Sequence, residues 1–311
     1  MASKIYRILS LDGGGIRGLL TAVVLERLLE RVSGLINQVD LIAGTSTGGI
    51  LAIGLARGLS PSELRALYEK RGERMFDDSV WDDIVDLGKL NGADYGNRRL
   101  RDELKRVFGA GTRLADLKKH VVIPAFDLDN EHNDPFKRSW KPKIFHNLSG
   151  KDSDGKVLAW KVGMYTSAAP TYFPSVDGYI DGGVYANNPS MAALAQSQDK
   201  RAISVPPTLG DVRLLSLGTG LELTYISGKN LDWGYVQWAK PLINLMMDGA
   251  MGVADYQCSK MLGKNYHRLA PVFPPGKSFP LDGVEKVSQL VEFARAVEIG
   301  QTVRWLNRYW N

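Results

Sequence analysis

The segment Gly44-Thr45-Ser46-Thr47-Gly48 constrains the fold of this chain most strongly. An apolar run at residues 39–43 leads into it, and a segment of helix-like composition at residues 49–56 follows. Small residues let the backbone turn sharply from a strand into a helix, so that the central hydroxyl stands clear at the sheet edge. The segment therefore predicts a nucleophile elbow with Ser46 at its tip, although a glycine-rich turn without chemistry would share the same letters.

A second glycine-rich loop follows the first predicted strand, Tyr6–Leu11. It reads Asp12-Gly13-Gly14-Gly15-Ile16-Arg17-Gly18 and leads into a long amphipathic helix that runs to about Val32. Three consecutive glycines expose backbone N–H groups, which bind negative charge at the start of a helix. The ligand is either a fixed phosphate or an oxyanion that forms only in a transition state.

The same loop contains Gly13-x-Gly15-x-x-Gly18, the fingerprint of dinucleotide binding. That fingerprint requires an acidic residue at the carboxyl end of the second strand, where it holds the ribose. Asp40 has nearly the required spacing but lies at the beginning of the second strand, and Gly44-Thr45-Ser46 occupies the carboxyl end. The loop therefore favours an oxyanion hole, and a dinucleotide-dependent oxidoreductase is the alternative.

A third motif, Asp181-Gly182-Gly183, ends a short apolar run at residues 176–180. Taken alone, Asp-Gly is ordinary turn chemistry. The three motifs in this order resemble those of the patatin-like phospholipase family, and so do the segments 166–174 and 214–220. The resemblance covers about residues 5–221. It implies an α/β fold with three α/β/α layers and a mostly parallel central sheet.

The resemblance also implies a site, in which Ser46 is the nucleophile and Asp181 is its base. The oxyanion hole is lined by Gly13, Gly14 and Gly15. Arg17 falls on the basic position of the family's glycine loop, where it holds the loop, favours an anionic substrate or is simply solvated. The implied reaction is hydrolysis of acyl esters in phospholipids or lysophospholipids through an acyl-enzyme, with no cofactor and no metal. A catalytically silent lipid-binding or storage protein is a further alternative.

A histidine base would require a different site. The histidines are His120, His132, His146 and His267, and none sits in a motif typical of a catalytic base. His267 would give the chain order Ser, Asp, His of the α/β-hydrolase fold, but Ser46 follows only the second strand, too early for that fold. We therefore predict a Ser46–Asp181 dyad. An aspartate with the ordinary pKa of about 3.9 is a weak base at neutral pH, so we expect Asp181 to be partly buried.

Length and composition predict one large domain. At 311 residues and 44% hydrophobic, the chain can bury an ample core, and no linker or repeat divides it. We predict a single catalytic domain over residues 1–311, with a motif-bearing core at about 5–221 and a helical part at about 222–311. Strands are predicted near residues 6–11, 39–43, 120–127, 142–147, 176–180 and 212–217, and C-terminal helices over 233–262 and 284–310.

Several classes of protein are disfavoured by composition. No segment offers the roughly 18 or more uncharged apolar residues of a membrane span, and residues 1–4 run into the first strand without a signal peptide. We therefore expect a cytoplasmic protein that meets membrane lipids at most peripherally. The single Cys258 excludes an internal disulfide and is expected to pack in the core. The net charge of +5 is too modest for a nucleic-acid partner.

Four segments each allow two interpretations. Residues 137–161 mix basic residues with tryptophans, which is typical of an anionic bilayer contact or of a solvated hairpin. Residues 75–97 are acidic around an apolar centre, as in a mobile flap over the site. The apolar surface of residues 233–262 packs on the core or faces a membrane or acyl chain. The aromatic end, Trp305–Trp310, is a docked tail or an interfacial anchor.

Overall fold

One mixed sheet organises the molecule. The computed structural model describes residues 4–76, 93–170 and 172–310. Within these ranges, strands pair in the order β4-β3-β2-β1-β6-β7, and β5 pairs with β3. From β3 to β7 this order is parallel throughout, whereas β4 and β5 are antiparallel to β3. The strands are β1 (Tyr6–Leu11), β2 (Leu41–Gly44), β3 (His120–Asp127), β4 (Lys141–His146), β5 (Tyr179–Asp181), β6 (Val212–Leu217) and β7 (Tyr266–Leu269).

Helices cover both faces of this sheet. They are α1 (Gly18–Arg31), α2 (Thr47–Arg57), α3 (Pro61–Phe76), α4 (Ala93–Phe108), α5 (Ala159–Thr166), α6 (Gly183–Ala186), α7 (Ser190–Ser197), α8 (Tyr235–Leu262), α9 (Val287–Ala296) and α10 (Gly300–Trp305), followed by a π-helical turn (Leu306–Trp310). Short 3-10 turns lie at Gly15–Arg17, Leu114–Asp116, Gly263–Asn265 and Val284–Lys286.

Alternation along β1 explains the three layers. Leu9 and Leu11 point to one face and belong to a core that includes α1, α2 and α3. Ile8 points to the other face and packs in a core with Leu194 of α7 and Cys258 of α8. Because successive side chains of a strand leave opposite faces, a strand buried on both sides is apolar nearly throughout. The predicted α/β/α fold with a mostly parallel sheet is confirmed, and Cys258 is buried as expected.

Two predicted elements differ from the structure. The strand expected from residue 176 begins at Tyr179, because Asp177 and Gly178 have φ of 48° and 82° and form a tight turn. Val176 and Tyr179 close that turn with two backbone hydrogen bonds of 2.9 Å. The C-terminal part, predicted to be helical, also contributes β7, which pairs with β6. Its last predicted helix is divided into α9, α10 and the π-helical turn.

The ambiguous surface segments fall into different environments. Trp305 and Trp310 are buried, so the aromatic end is a docked tail. Helix α8 buries Cys258 and Leu262 but exposes other apolar side chains: Leu242, Leu245, Met246, Val253 and Tyr256. In the basic segment, Lys143 pairs with Asp154 at 2.6 Å and Trp140 is exposed. Most of the acidic segment, residues 77–92, lies outside the described residues. No described helix combines the length and apolarity needed to cross a bilayer.

Candidate active site

Ser46 occupies a sharp turn between a strand and a helix. Ser46 stands between the end of β2 and the start of α2, with φ 54° and ψ −124°. Residues other than glycine rarely adopt such a backbone, which persists only where the surroundings hold it. The Ser46 N–H donates to Thr166 Oγ1 at 2.9 Å, and that hydroxyl donates to the Pro124 carbonyl at 2.6 Å. Thr45 Oγ1 donates to the Ala186 carbonyl at 2.6 Å. The elbow is thus tied to α5, β3 and α6.

The two glycines of the elbow are required by close backbone packing. A Cβ at Gly44 would lie 2.0 Å from the carbonyl oxygen of Gly48. A Cβ at Gly48 would lie 2.2 Å from the carbonyl oxygen of Leu11 in β1. Both distances are far shorter than any real contact, and the obstacle is backbone that cannot swing away. The turn therefore requires glycine at both positions.

Asp181 lies at the end of β5 and is only 3% exposed. Its Oδ1 accepts the Gly183 N–H at 2.7 Å. Burial raises the pKa of Asp181 to about 7, against the interactions with Ser46 and the Gly183 N–H, which lower it. The Ser46 hydroxyl faces this carboxylate and interacts with it, and catalytic contacts of this kind often tighten when substrate binds. The pKa of this carboxyl therefore lies near neutral pH.

The two glycines of the third motif, Gly182 and Gly183, allow the close packing that positions Asp181. A Cβ at Gly182 would lie 2.4 Å from the Pro124 carbonyl oxygen, so a side chain there would push β5 away from β3. A Cβ at Gly183 would lie 3.1 Å from Asp181 Oδ1. Small residues therefore let the carboxylate reach the elbow and receive a backbone N–H.

The glycine loop contributes two residues to the same cavity. Gly14 and Gly15 line it together with Ser46 and Asp181. Within the described ranges, the N–H groups of Gly14 and Gly15 donate to no protein acceptor. The sequence predicted that the Gly13 N–H would be free to bind an oxyanion. In the structure it donates to the Asn187 carbonyl at 3.0 Å. Gly13 shapes the loop instead, since a Cβ there would lie 2.2 Å from Asn187 Oδ1.

Three contacts from the C-terminal third hold the loop. Thr219 Oγ1 donates to the Gly13 carbonyl at 2.7 Å, and the Ile16 N–H donates to the Leu281 carbonyl at 2.7 Å. Asp12, which is buried, accepts Arg268 Nη2 at 2.6 Å. These partners are far from the motifs in sequence.

Arg268 is a residue that sequence reasoning missed. It lies on β7 opposite Ser216 of β6, and its Nη1 also donates to Ser216 Oγ at 2.7 Å. The one available signal was the alternation of residues 266–269, which indicates a strand. Only the position of that strand in the sheet brings the guanidinium to Asp12.

None of the histidines takes part in the site. Among the described residues that line the cavity around Ser46, there is no histidine. His267 Nε2 is 2.9 Å from Thr302 Oγ1, and its ring stacks on Trp305. Burial lowers the pKa of His267 below its usual value. His267 therefore packs against helix α10.

The cavity around Ser46 is narrow and mostly apolar. It encloses about 50 Å³, and side chains of Phe173, Val184 and Met247 contribute to its wall. Arg17 lies outside it, on an adjoining groove, and is half-buried. Burial lowers the pKa of Arg17, while Asp248 and Glu222 oppose that shift. Its Nε is buried without a hydrogen-bond partner.

Asp40 does not lie near Ser46. Asp40, the acid considered for a ribose, accepts the Arg7 N–H at 2.8 Å just before β2, at the opposite end of the strand from Ser46. In the ranges that the structure describes, no group of three His, Cys, Asp or Glu residues is arranged to hold a metal ion.

Comparison with known proteins shows the family of this chain. The family described as "Patatin-like phospholipase" matches residues 9–194. A cGAMP-activated phospholipase of Pseudomonas aeruginosa is 32% identical over 290 residues, which cover 91% of this chain and 83% of that protein. A second cGAMP-activated phospholipase, from Vibrio cholerae serotype O1, is 35% identical over 68% of this chain and 64% of its own length. Patatin-like protein 1 of Oryza sativa subsp. indica is 30% identical over 82% of this chain and 70% of its own length. The chain belongs to the patatin-like phospholipase family and is a lipid acyl hydrolase.

Proposed function

We propose that the protein hydrolyses acyl esters of phospholipids or lysophospholipids through a Ser46–Asp181 dyad. The observation that carries this proposal is a buried carboxylate with a pKa of about 7, facing a serine held at the tip of a strained elbow. A carboxylate with an ordinary pKa would take the hydroxyl proton poorly, whereas one near 7 is matched to neutral pH.

The reaction then proceeds in two halves. Ser46 Oγ attacks the ester carbonyl carbon while Asp181 accepts the hydroxyl proton and passes it to the departing alcohol oxygen. This leaves the acyl group bound to Ser46. In the second half, Asp181 takes a proton from water, the resulting hydroxide attacks the acyl carbon, and the proton returns to Ser46 Oγ. The products are a free fatty acid and the deacylated alcohol.

Backbone donors stabilise the charge that forms in both halves. The Gly14 and Gly15 N–H groups have no protein acceptor within the described ranges and line the cavity of Ser46, so we assign them to the oxyanion hole. Fixed donors of this kind are commonly the largest catalytic contribution, and removal of one costs about 100- to 1000-fold in turnover. The Gly13 amide, already bonded to Asn187, supports the loop.

The remaining assignments follow from the surroundings of the site. The apolar cavity wall is suited to the acyl chain next to the ester, and Arg17 on the adjoining groove is suited to an anionic group of the substrate. We treat residues 1–311 as one catalytic domain, because β7 and the loop contacts from Thr219, Leu281 and Arg268 are parts of the same unit. We place the protein in the cytoplasm as a further part of this proposal. Membrane contact is peripheral in this proposal.

Labelling with a fluorophosphonate tests the nucleophile. The wild type should bind one equivalent at Ser46, and Ser46→Ala should bind none and hydrolyse neither phospholipid nor a short-chain ester. Thr45→Ser is a matched control that changes a neighbouring residue of the elbow but keeps its hydroxyl, and it should still be labelled at Ser46. Hydrolysis by Ser46→Ala close to that of the wild type would refute the mechanism. A bound nicotinamide dinucleotide together with absence of labelling would support the oxidoreductase alternative.

A further inference from the structure

A groove of about 360 Å³ opens beside the cavity around Ser46. Tyr172, Asn244, Met247 and Leu281 line both spaces, so the two adjoin. A phospholipid whose ester carbonyl lies at Ser46 carries its headgroup only a few bonds away. The groove is therefore within reach of the headgroup of any substrate that reacts at Ser46.

The charges in this groove differ from those of the cavity. Arg17, Glu222 and Asp248 all line it. The guanidinium interacts electrostatically with both carboxylates. Nevertheless, as far as the structure describes the chain, Arg17 forms no ion pair and its Nε is buried without a partner. Glu222 and Asp248 are exposed to the groove, and Glu222 accepts the Ser278 hydroxyl at 3.0 Å. One positive and two negative groups are thus held near one another without neutralising one another directly.

We propose that this groove binds the headgroup of a zwitterionic phospholipid, with Arg17 on the phosphate and Glu222 and Asp248 on the ammonium group. This inference rests on the proposed function, since the headgroup reaches the groove only when the ester lies at Ser46. A phosphate and an ammonium separated by two carbons match one guanidinium and two carboxylates that line the same groove. The headgroup of phosphatidylglycerol carries hydroxyl groups in place of the ammonium, so it offers the two carboxylates no cation with which to pair.

Paired substrates test the assignment. Phosphatidylethanolamine, phosphatidylcholine and phosphatidylglycerol with identical acyl chains are presented in mixed micelles of a neutral detergent, so that the surface charge of a bilayer does not contribute. The readout is the ratio of kcat/KM for zwitterionic to anionic lipid. A short-chain ester without a headgroup measures the Ser46 chemistry in the same samples.

The wild type should favour the zwitterionic lipids by roughly five- to tenfold, the scale expected of partly solvated charge contacts. The double variant Glu222→Gln with Asp248→Asn should bring the ratio close to one. The matched control, Glu285→Gln with Glu292→Gln, removes two exposed carboxylates elsewhere and should keep the wild-type ratio.

A wild-type ratio of one or less would overturn the assignment without any variant. The assignment would also be overturned if the double variant at Glu222 and Asp248 kept the same zwitterionic-to-anionic ratio as the control variant. Equal loss of ester and phospholipid hydrolysis in the double variant would overturn it as well. Absence of hydrolysis of both the lipid and the headgroup-free ester by the wild type would be a different result. It would refute the proposed function itself, and the headgroup assignment with it.

Discussion

Asp181→Asn should damage activity and stabilise the fold, and both effects follow from the buried carboxyl. The amide cannot accept the proton of Ser46, so turnover of a short-chain ester should fall by about 100- to 10,000-fold, the usual contribution of a positioned base. Asparagine is nearly isosteric, and its carbonyl can still accept the Gly183 N–H that Asp181 Oδ1 accepts at 2.7 Å. The fold should therefore remain intact.

The stability change has a defined pH window. Burial raises the pKa of Asp181 from 3.8 to about 7, a difference of about three units. At 1.36 kcal/mol for each unit, the ionised carboxylate costs the folded state about 4 kcal/mol. Between these two pKa values the unfolded chain is ionised while the native carboxyl keeps its proton, so this group lowers the free energy of unfolding as pH rises. The full cost is present above pH 7 and absent below pH 4.

Chemical denaturation of wild type and Asp181→Asn at pH 5 and pH 8 measures this difference. The variant should gain more unfolding free energy at pH 8 than at pH 5, and Asp232→Asn, an exposed carboxyl, should show no such difference. The wild-type rate on the ester should rise about tenfold from pH 6 to pH 7.5 and then level off. A rate independent of pH between 5 and 8, or an equal stability change at both pH values, would refute the raised pKa.

Three further predictions concern the residues around the dyad. Gly14→Ala should lower turnover about 100- to 1000-fold at little cost to KM, because a Cβ would lie 2.3 Å from Thr219 Oγ1 and displace the donor amides; unchanged turnover would exclude these amides from the oxyanion hole. Arg268→Met should lower the free energy of unfolding by about 3–5 kcal/mol, because it leaves the Asp12 carboxylate buried and unpaired, whereas Arg268→Lys should recover part of the loss in a denaturant titration. His267→Gln should keep most of the activity on the ester, and a loss equal to that of Asp181→Asn would restore a histidine base.

The sequence predicted those parts of the site that depend on local backbone geometry. A strand, five small residues and a helix can hardly be joined other than by a sharp turn, so Ser46 could be placed at its tip before the fold was known. The burial of Asp181 was also predictable, since the proposed chemistry requires a carboxylate of raised pKa.

Long-range contacts could not be predicted in this way. The Gly13 amide was expected to be free, but it bonds to a carbonyl of Asn187, which follows the third motif. The strand β7 is only four residues long and follows a 28-residue helix. Its local sequence pattern was too short to predict a strand of the central sheet. Its side chain Arg268 reaches Asp12 only because β7 pairs with β6 and β6 pairs with β1. Such contacts are set by sheet order, which is a property of the whole chain.

The contacts on the glycine loop bear on how short an active fragment can be. The three motifs and the match to the family all end by residue 194. Yet the Gly13 carbonyl, the Ile16 amide and the Asp12 carboxylate are bonded to Thr219, Leu281 and Arg268. A fragment cut after the motifs would retain each group assigned to the proposed reaction and lose the contacts that hold the loop beside Ser46. An active enzyme therefore requires residues well beyond the three motifs and the family match. We expect a fragment that ends at residue 194 to be inactive.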